Sequence, residues 1–483
     1  MGYTQKVVVI GGGISGLACA YRLRQLGISC LVLESTKRPG GVIATVRRNG
    51  FLFETGPQCP RFPASVWQLV RDLHLESEFV AGDARAKRYI LRDGSLHAAP
   101  FSPGALLTTG LFGLASKYRI LSEAFGTSYP PAEEESLAGF VRRKFGVEVL
   151  ENLVDPLIST VFFGDSYQMG MQSAFPAMVE WERDYGSVAR GAIRARNSKR
   201  NAEKLKGSSP RSRPSDARKS LKVTDALPSL GSFQSGMGRL PERLAEDLQE
   251  QIKFGAAVLS ISLSSGGDGG LNPGWQIGVS GGEKIPARHI ILAVPAHAAA
   301  RLLEDSAPGL AANLKSIEYA PMWSVSSAYE RSQVANPLDG FGFMVPRLEG
   351  LHTICTFWNS SVFPHRAPEG KVLITSFARV VASGAGGICE GEELADAVEK
   401  ENARTLGIAG GPVERLVWND PLALPQYNVG HATRVRKIFD TLQTVPNLHL
   451  TGNFLRGRSI GDCVENALLV AGELHSQLRG KGI

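Results

Sequence analysis

The sequence predicts an α/β chain that opens on a Rossmann-like dinucleotide-binding unit. Three observations carry this. Val7 to Ile10 is a short apolar run; Gly11, Gly13 and Gly16 follow as G-x-G-x-x-G; and Ile14, Leu17, Ala18, Tyr21, Leu23 and Leu26 then repeat at helical spacing. Gly11 suits the tight turn, Gly13 lets backbone approach a diphosphate, and Gly16 lets helix and strand pack closely. The phosphates would sit at a helix N-terminus, where free N–H groups and the helix dipole favour anions. A second strand, Cys30 to Glu34, ends in a carboxylate placed to accept ribose hydroxyl hydrogen bonds. That carboxylate would repel a 2′-phosphate, which disfavours NADP.

The chain has 483 residues, enough for two or three domains, with 43% hydrophobic and 20% charged residues. Six scattered cysteines (Cys19, Cys30, Cys59, Cys355, Cys389, Cys463) show no C-x-x-C spacing. That argues against a disulfide framework and a zinc site and fits a reducing compartment. The first apolar run is already the binding strand, so no signal peptide is expected.

The formal charge of +7 is unevenly spread. Eleven Lys or Arg between Arg194 and Lys222 face only Glu203 and Asp216, a net +9, which leaves the rest of the chain at −2. This stretch, rich in Ser and Pro, reads as a solvated insertion over 197–223. Contact with anionic lipid or an acidic partner is the sharper alternative. No nucleic acid partner is expected, since no aromatic residues interleave the charges.

Beyond Glu34 the chain continues Ser35-Thr-Lys-Arg38-Pro-Gly40-Gly41-Val-Ile-Ala-Thr45. The glycine pair lets a second backbone segment approach the cofactor, and Arg38 is placed to neutralise a phosphate or brace the turn. A third segment, Phe51 to Gln58, is a short strand running into Gly56-Pro57. Near the C-terminus, Asn447 to Asn453 is a strand with a loop. A helix starts around Ser459, with Asp462 as its expected N-cap and Val464, Ala467, Leu468, Ala471 and Leu474 at helical spacing.

These segments together resemble the flavin-dependent amine oxidase superfamily, over almost the whole chain. The resemblance implies FAD as cofactor and a discontinuous Rossmann-like FAD-binding domain (1–84, 247–299 and 442–483). A mixed-sheet substrate domain (85–95, 224–246 and 300–441) and a helical, membrane-contacting domain (96–196) complete it. Implied cofactor-binding residues are Gly11, Gly12, Gly13, Ile14, Ser15, Gly16, Glu34, Ser35, Arg38, Gly40, Gly41, Gly56, Pro57, Gln58, Cys59, Val258, Trp418, Gly452, Arg458, Ser459 and Ile460. Gln58 stands where relatives carry Arg or Asn. The C-terminal helix is implied to aim its N-terminus at the flavin pyrimidine ring, where partial positive charge would stabilise the reduced, anionic flavin.

Two inserts separate the FAD-domain segments. The first runs from about Ala98 to Arg196 and begins with nineteen uncharged residues, Ala98 to Ser116. Pro100, Pro103, three glycines and two threonines break it, so short helices are expected, either as ordinary core or resting in one membrane leaflet. Ser136 to Gly146 and Glu148 to Ile158 read as helices. The second insert, about Pro308 to Val435, alternates strands and loops.

The inserts resemble the protoporphyrinogen oxidase branch of the superfamily, through Ala86 to Gly94, Thr160 to Asp165, Ser173 to Met178, Tyr185 to Ile193, Gly340 to Pro346, Leu424 to His431 and Gly461-Asp462-Cys463. The resemblance implies FAD-dependent oxidation of protoporphyrinogen IX to protoporphyrin IX. Six electrons leave in three hydride transfers to flavin N5, and dioxygen is the acceptor. Implied substrate contacts are Arg88 to a propionate carboxylate, Phe341, Met344 and Phe377 to the tetrapyrrole, and Thr160, where many members carry glycine. No catalytic acid or base is identified. Nor is there a Ser/His/Asp set, a metal cluster or a paired-carboxylate motif. Peripheral membrane contact, a cytoplasmic or membrane-face location and a homodimer are carried as expectations. Coproporphyrinogen III oxidation is the standing alternative, because the Thr356 to Gly370 stretch resembles both branches. An amine oxidase, a carotenoid desaturase and a flavin-free binder on the same fold are the remaining readings.

Overall fold

The structure is a computed structural model that describes residues 5–206, 230–264, 274–380 and 390–480. It is built on two seven-stranded sheets.

In the first sheet the strand Gln5–Ile10 lies at the centre, parallel to Leu31–Leu33 on one side and to Lys284–Leu292 on the other. Leu448–Leu450 adds a further parallel strand beside residues 290–292. Gly274–Val279 and Val258–Ser264 continue the sheet as antiparallel strands. Val7 to Ile10 are at most 3% exposed because both faces are covered, which is why this strand is uniformly apolar. Val7 and Val9 face the helices Ile14–Gln25, Arg239–Leu248 and Ile460–Gly480. Val8 and Ile10 face the opposite core, with Ala296–Leu303 and Pro308–Lys315.

Two expected boundaries move. Residues 231–246, expected with the substrate domain, pack into the first core: Leu240 and Leu244, with Leu248 one turn further on, repeat at i, i+4 and bury one helical stripe there. The helices Pro308–Lys315 and His431–Leu442, also expected there, cover the other face of the first sheet through Leu310, Leu314 and Ile438.

The second sheet runs in the spatial order Glu414–Pro425, Tyr319–Glu330, Lys371–Ala378, Thr353–Phe357, Gly340–Met344, Lys87–Arg92 and Ser95–Ala98. It is mixed: only Gly340–Met344 and Lys87–Arg92 pair in parallel. A helix not foreseen, Gly391–Leu406, covers one face through Leu394, Ala395 and Val398. The opposite face looks toward the helix Asp155–Phe162 and the helical layer.

That layer holds the short helices expected over 98–116, at Pro103–Thr108 and from Leu114. The basic stretch begins inside a helix, Val188–Lys206. Glu123 caps its start, accepting the N–H groups of Val188 at 2.9 Å and Ala189 at 3.0 Å, and pairs with Lys144 at 3.0 Å. The remainder of the insertion, 207–223, lies outside the described residues, as does Cys389. Among the described residues no helix is long and apolar enough to cross a membrane.

Candidate functional site

The first glycine cluster divides its labour as its geometry requires. Gly11 sits at φ +110°, where its N–H donates to the Leu33 carbonyl at 2.9 Å and a Cβ would meet the Ala293 oxygen at 2.7 Å. At Gly16 a Cβ would lie 1.9 Å from the Gly11 carbonyl oxygen, so the helix packs here only on hydrogen. Gly13 differs: a Cβ there would meet nothing within 4 Å. Its bareness serves an approach from outside the chain. Ile14 and Ser15 open the helix and are buried, and the Ser15 hydroxyl lies against the Cys463 thiol.

Gly40 donates to the Gly12 carbonyl at 2.8 Å, which brings the second glycine turn against the first, with Gly41 at φ +59°. Glu34 is 6% exposed. Its Oε2 accepts the Gly12 N–H at 2.7 Å; its Oε1 accepts the Thr36 N–H and hydroxyl, each at 2.8 Å, and the Ser35 hydroxyl at 3.3 Å. The carboxylate thus ties the first glycine turn to the end of the second strand. Gly255 and Ala256 donate to the Thr36 and Glu34 carbonyls and set the Val258 strand beside this corner. Arg38 is exposed and reaches its own turn, donating to the Pro39 carbonyl at 3.3 Å, so it braces the loop.

The third segment is clamped from behind. Glu54 and Arg366 form an ion pair of 2.6 Å with side chains 2% and 1% exposed. Glu54 also accepts from the Met237 N–H and the Thr45 hydroxyl, each at 2.8 Å. Burial pushes its carboxyl up, against the pull of Arg366. Two residues on, a Cβ at Gly56 would strike the Val42 carbonyl at 2.5 Å. Gln58, expected to meet the cofactor, instead spends its side chain on the protein: its amide donates to the Glu54 and Gly56 carbonyls and its oxygen accepts from Asn359 at 2.6 Å. It shapes the Pro57 turn. Burial raises the neighbouring Cys59 thiol to about 12, with Arg88 and Arg366 opposing the rise.

At the C-terminal helix Ser459, rather than Asp462, is the cap. The Ser459 hydroxyl accepts the Asp462 N–H at 3.1 Å, while the Asp462 carboxylate accepts the Ser459 N–H at 2.9 Å and its hydroxyl at 2.7 Å. The reciprocal pair is a capping box with Asp at the third helical position. Ile460, the first helical residue, is buried, and Gly452 sits at φ +155° at the end of the preceding strand. Arg458 stacks between Phe162, at 4.0 Å, and Tyr427, at 4.6 Å, and donates to the Pro425 carbonyl at 3.1 Å. Burial pulls its guanidinium down to about 10. The Tyr427 hydroxyl donates to the Asn453 carbonyl at 2.8 Å.

Strand register brings the expected substrate residues to one sheet face. Trp418, Ser324, Phe377, Cys355, Met344 and Ile90 are successive partners across six strands. Leu416, Ser326, Thr375, Phe357, Gly342 and Arg88 form the next row. Paired residues share a face, so Phe377, Met344 and Arg88 lie on the face that meets the helix Asp155–Phe162, and Trp418, expected at the cofactor, lies on the same face at the opposite edge strand. A bulge at Gly342, φ +139°, turns Phe341 under the Arg88 guanidinium, 4.6 Å from the ring centroid. Arg88 is half-buried, and burial holds its pKa down, with Arg61 adding repulsion. It makes two long hydrogen bonds of 3.4 Å, to the Ala84 and Ala86 carbonyls. Thr160 lies against the Cys355 thiol, where the helix meets this face.

Sequence reasoning missed two residues at this face, and Tyr427 beside the start of the C-terminal helix. Phe357 is edge-on to Phe341 at 5.7 Å and to Phe377 at 5.8 Å; Phe163 is edge-on to Phe377 at 4.8 Å; Tyr427 stacks on Arg458. The period-2 alternation of the Phe357 strand could have found that residue. Nothing local marks Phe163.

The sequence pattern of flavin-containing amine oxidoreductases matches residues 14–475. The chain belongs to that family. It is 31% identical to the chloroplastic protoporphyrinogen oxidase 1 of Arabidopsis thaliana over 98% of this chain and 88% of the relative. It is 27% identical to the coproporphyrinogen III oxidase of Bacillus subtilis over 95% and 96%. A crystal structure from Exiguobacterium sp., provisionally described as a protoporphyrinogen oxidase, superposes with a TM-score of 0.78 at 24% identity, covering 99% of this chain and all of that one. This flavoenzyme is an oxidoreductase with FAD as its cofactor. Its own residues fit the group: space is left at Gly13, two glycine turns converge there, and two helices begin at Ile14 and Ile460 facing the cleft loops.

Proposed function

We propose that this flavoenzyme oxidises protoporphyrinogen IX to protoporphyrin IX, with dioxygen as the final acceptor. The observation that carries the reading is Arg88. Its guanidinium is half-buried, is held over Phe341, and forms no ion pair among the described residues, on a sheet face that carries Phe357, Phe377, Met344 and Cys355. A cation so held suits a carboxylate, and an aromatic floor suits a flat, apolar macrocycle.

Gly11, Gly12, Gly13 and Gly16, with Gly40 and Gly41, would hold the FAD diphosphate; Glu34, Ser35 and Val258 would serve the adenosine; Gly56, Pro57, Gly452, Arg458, Ser459 and Ile460 would serve the isoalloxazine. Flavin bound there would supply a two-electron acceptor for hydride from the methylene bridges of the substrate, three times over. What the chain contributes is positioning and exclusion of water. Arg88 anchors one edge; Phe341, Met344 and Phe377 hold the ring plane; Thr160 shapes the far wall. Arg458 and the capped helix start present positive potential to the flavin. Each round also releases one proton from the substrate, so the six hydrogens leave as three hydrides and three protons, and aromaticity is gained when the third round completes the porphyrin.

The test is Arg88→Ala. It should raise KM for protoporphyrinogen by about tenfold to a hundredfold, the range of a lost charge-assisted hydrogen-bonded pair, with flavin content unchanged. Loss of flavin, or an unchanged KM, would sink the assignment.

The same enzyme is proposed to rest on an anionic membrane surface. Leu114, Tyr118, Leu121 and Phe125 are 85, 74, 50 and 86% exposed; the first three share one face of the helix Leu114–Glu123 at i, i+4 and i+7, and Phe125 follows just past its end. Phe101 and Leu107 extend the patch, while Leu111 and Phe112 are core, so the contact centres further along than the 98–116 stretch. The basic helix Val188–Lys206 lies beside it, its Arg190 donating to the Gly126 carbonyl at 2.9 Å. Flotation with phosphatidylglycerol vesicles should be lost in Tyr118→Ser/Phe125→Ser; undiminished flotation would contradict this contact.

A further inference from the structure

The aromatic contacts across the second sheet form one continuous row. From the Arg88 guanidinium over Phe341 the row passes to Phe357, then Phe377, then Phe163, in steps of 4.6, 5.7, 5.8 and 4.8 Å. Its two ends differ in kind. One is a cation, and the other is a benzyl ring on the last turn of the helix that overhangs the cleft.

Phe163 is held there at a cost. It occupies the left-handed region, φ +49° and ψ +26°, as the residue that ends the helix Asp155–Phe162. Glycine is the ordinary occupant of that position, and a bulky side chain there is strained. A glycine stands next in the chain, but Gly164 is needed for another purpose: a Cβ on it would lie 2.4 Å from Gln426 Oε1. Neighbouring contacts lock the strained turn. Gln426 donates to the Phe162 carbonyl at 3.4 Å, Arg458 stacks on the Phe162 ring, and Thr160 sits on Cys355 one turn back. A strained residue over-determined by its surroundings, beside a cleft, is a sign of function.

The geometry points to Phe163 as the specificity-determining wall of the substrate cleft, closing the end of the aromatic row opposite Arg88 against any tetrapyrrole edge that bears carboxylates. This rests on the proposed substrate class. Protoporphyrinogen IX carries its two propionates on adjacent pyrroles and vinyl groups on the other two; coproporphyrinogen III carries propionates on all four. With one pair of propionates turned toward Arg88, the opposite edge meets Phe163. Vinyl groups pack on that ring. Propionates would be stripped of water against an apolar ring that offers them no hydrogen bond.

The test uses the flavin-loaded full chain and both porphyrinogens, followed by product fluorescence. Phe163→Ala removes the ring and keeps the strain; Phe163→Gly removes both; Phe163→Leu keeps apolar bulk. The wild type should favour protoporphyrinogen. Both truncations should shift the coproporphyrinogen-to-protoporphyrinogen ratio of kcat/KM upward by about tenfold or more, while Phe163→Leu stays within about threefold. Because Phe163→Gly relieves the backbone, it keeps the test open should Phe163→Ala fold poorly. An unchanged ratio in a flavin-loaded truncation overturns the wall alone. A wild type that prefers coproporphyrinogen overturns the substrate reading and the wall together.

Discussion

Removing the cation from the Glu54–Arg366 pair should unhinge the flavin cleft. Arg366 is 1% exposed, pairs with Glu54 at 2.6 Å, donates to the Ser232 hydroxyl at 2.5 Å and stacks 5.5 Å from the Phe363 ring. In Arg366→Met the flexible apolar chain fills much of the space, so the main effect is to leave the buried Glu54 carboxylate with only the Met237 N–H and the Thr45 hydroxyl. Breaking a buried pair on one side costs about 3–5 kcal/mol. Glu54 is already pushed up by burial and can take a proton, which places the expected loss near the low end, about 3 kcal/mol. Glu54→Gln combined with Arg366→Met removes both charges and should recover to within about 1–2 kcal/mol of wild type. The damage should also reach function. Glu54 stands two residues before Gly56, whose turn is further tied to Asn359 through Gln58. Urea unfolding of the flavin-loaded protein at pH 7 gives the stability, and the fluorescence of released FAD gives cofactor retention. A single variant within about 1 kcal/mol of wild type, or a double variant worse than the single, would refute the reasoning.

Two further predictions separate architecture from cofactor and pH. With the flavin stripped from all three proteins, Gly13→Ala should unfold close to wild type, since a Cβ there meets nothing within 4 Å, yet fail to take FAD back up; Gly16→Ala, 1.9 Å from the Gly11 oxygen, should be destabilised by about 1–3 kcal/mol or more. Equal unfolding midpoints for the two, or full flavin in Gly13→Ala, would contradict this division. Burial pulls His431 and His449 down to about 4. Both are neutral in the fold where their unfolded counterparts take up protons, so the unfolded state binds more protons and stability falls as pH drops from about 6.5 toward 4. The slope is at most about 1.4 kcal/mol per pH unit for each histidine, and His449→Gln should remove one histidine's share in urea titrations at pH 7, 6 and 5. An unchanged slope would count against it.

Much of the architecture was legible because local rules and global packing agree. Strand, glycine turn, helix and Glu34 are contiguous, and each residue answers to its near neighbours. The discontinuity of the FAD domain was legible only through resemblance, since nothing in 284–292 announces a partner strand at 448–450. The cap was misread because Asp462 and Ser459 both suit helix starts, and only the reciprocal hydrogen bonds identify Ser459 as the cap. Gln58 stands inside a cofactor motif, but its bond to Asn359, 301 residues on, is a tertiary event with no local trace. Phe163 is the extreme case: aromatic residues disfavour left-handed backbone, so sequence rules argue against what the fold imposes.

The most direct test of the account is anaerobic reduction of the bound flavin, followed by the loss of its visible absorbance after rapid mixing with each porphyrinogen. The account predicts fast bleaching by protoporphyrinogen IX, slower bleaching at equal concentration of coproporphyrinogen III, and saturation with protoporphyrinogen at higher concentration in Arg88→Ala. Equal or faster bleaching by coproporphyrinogen III, or a bound flavin that neither substrate reduces, would contradict it.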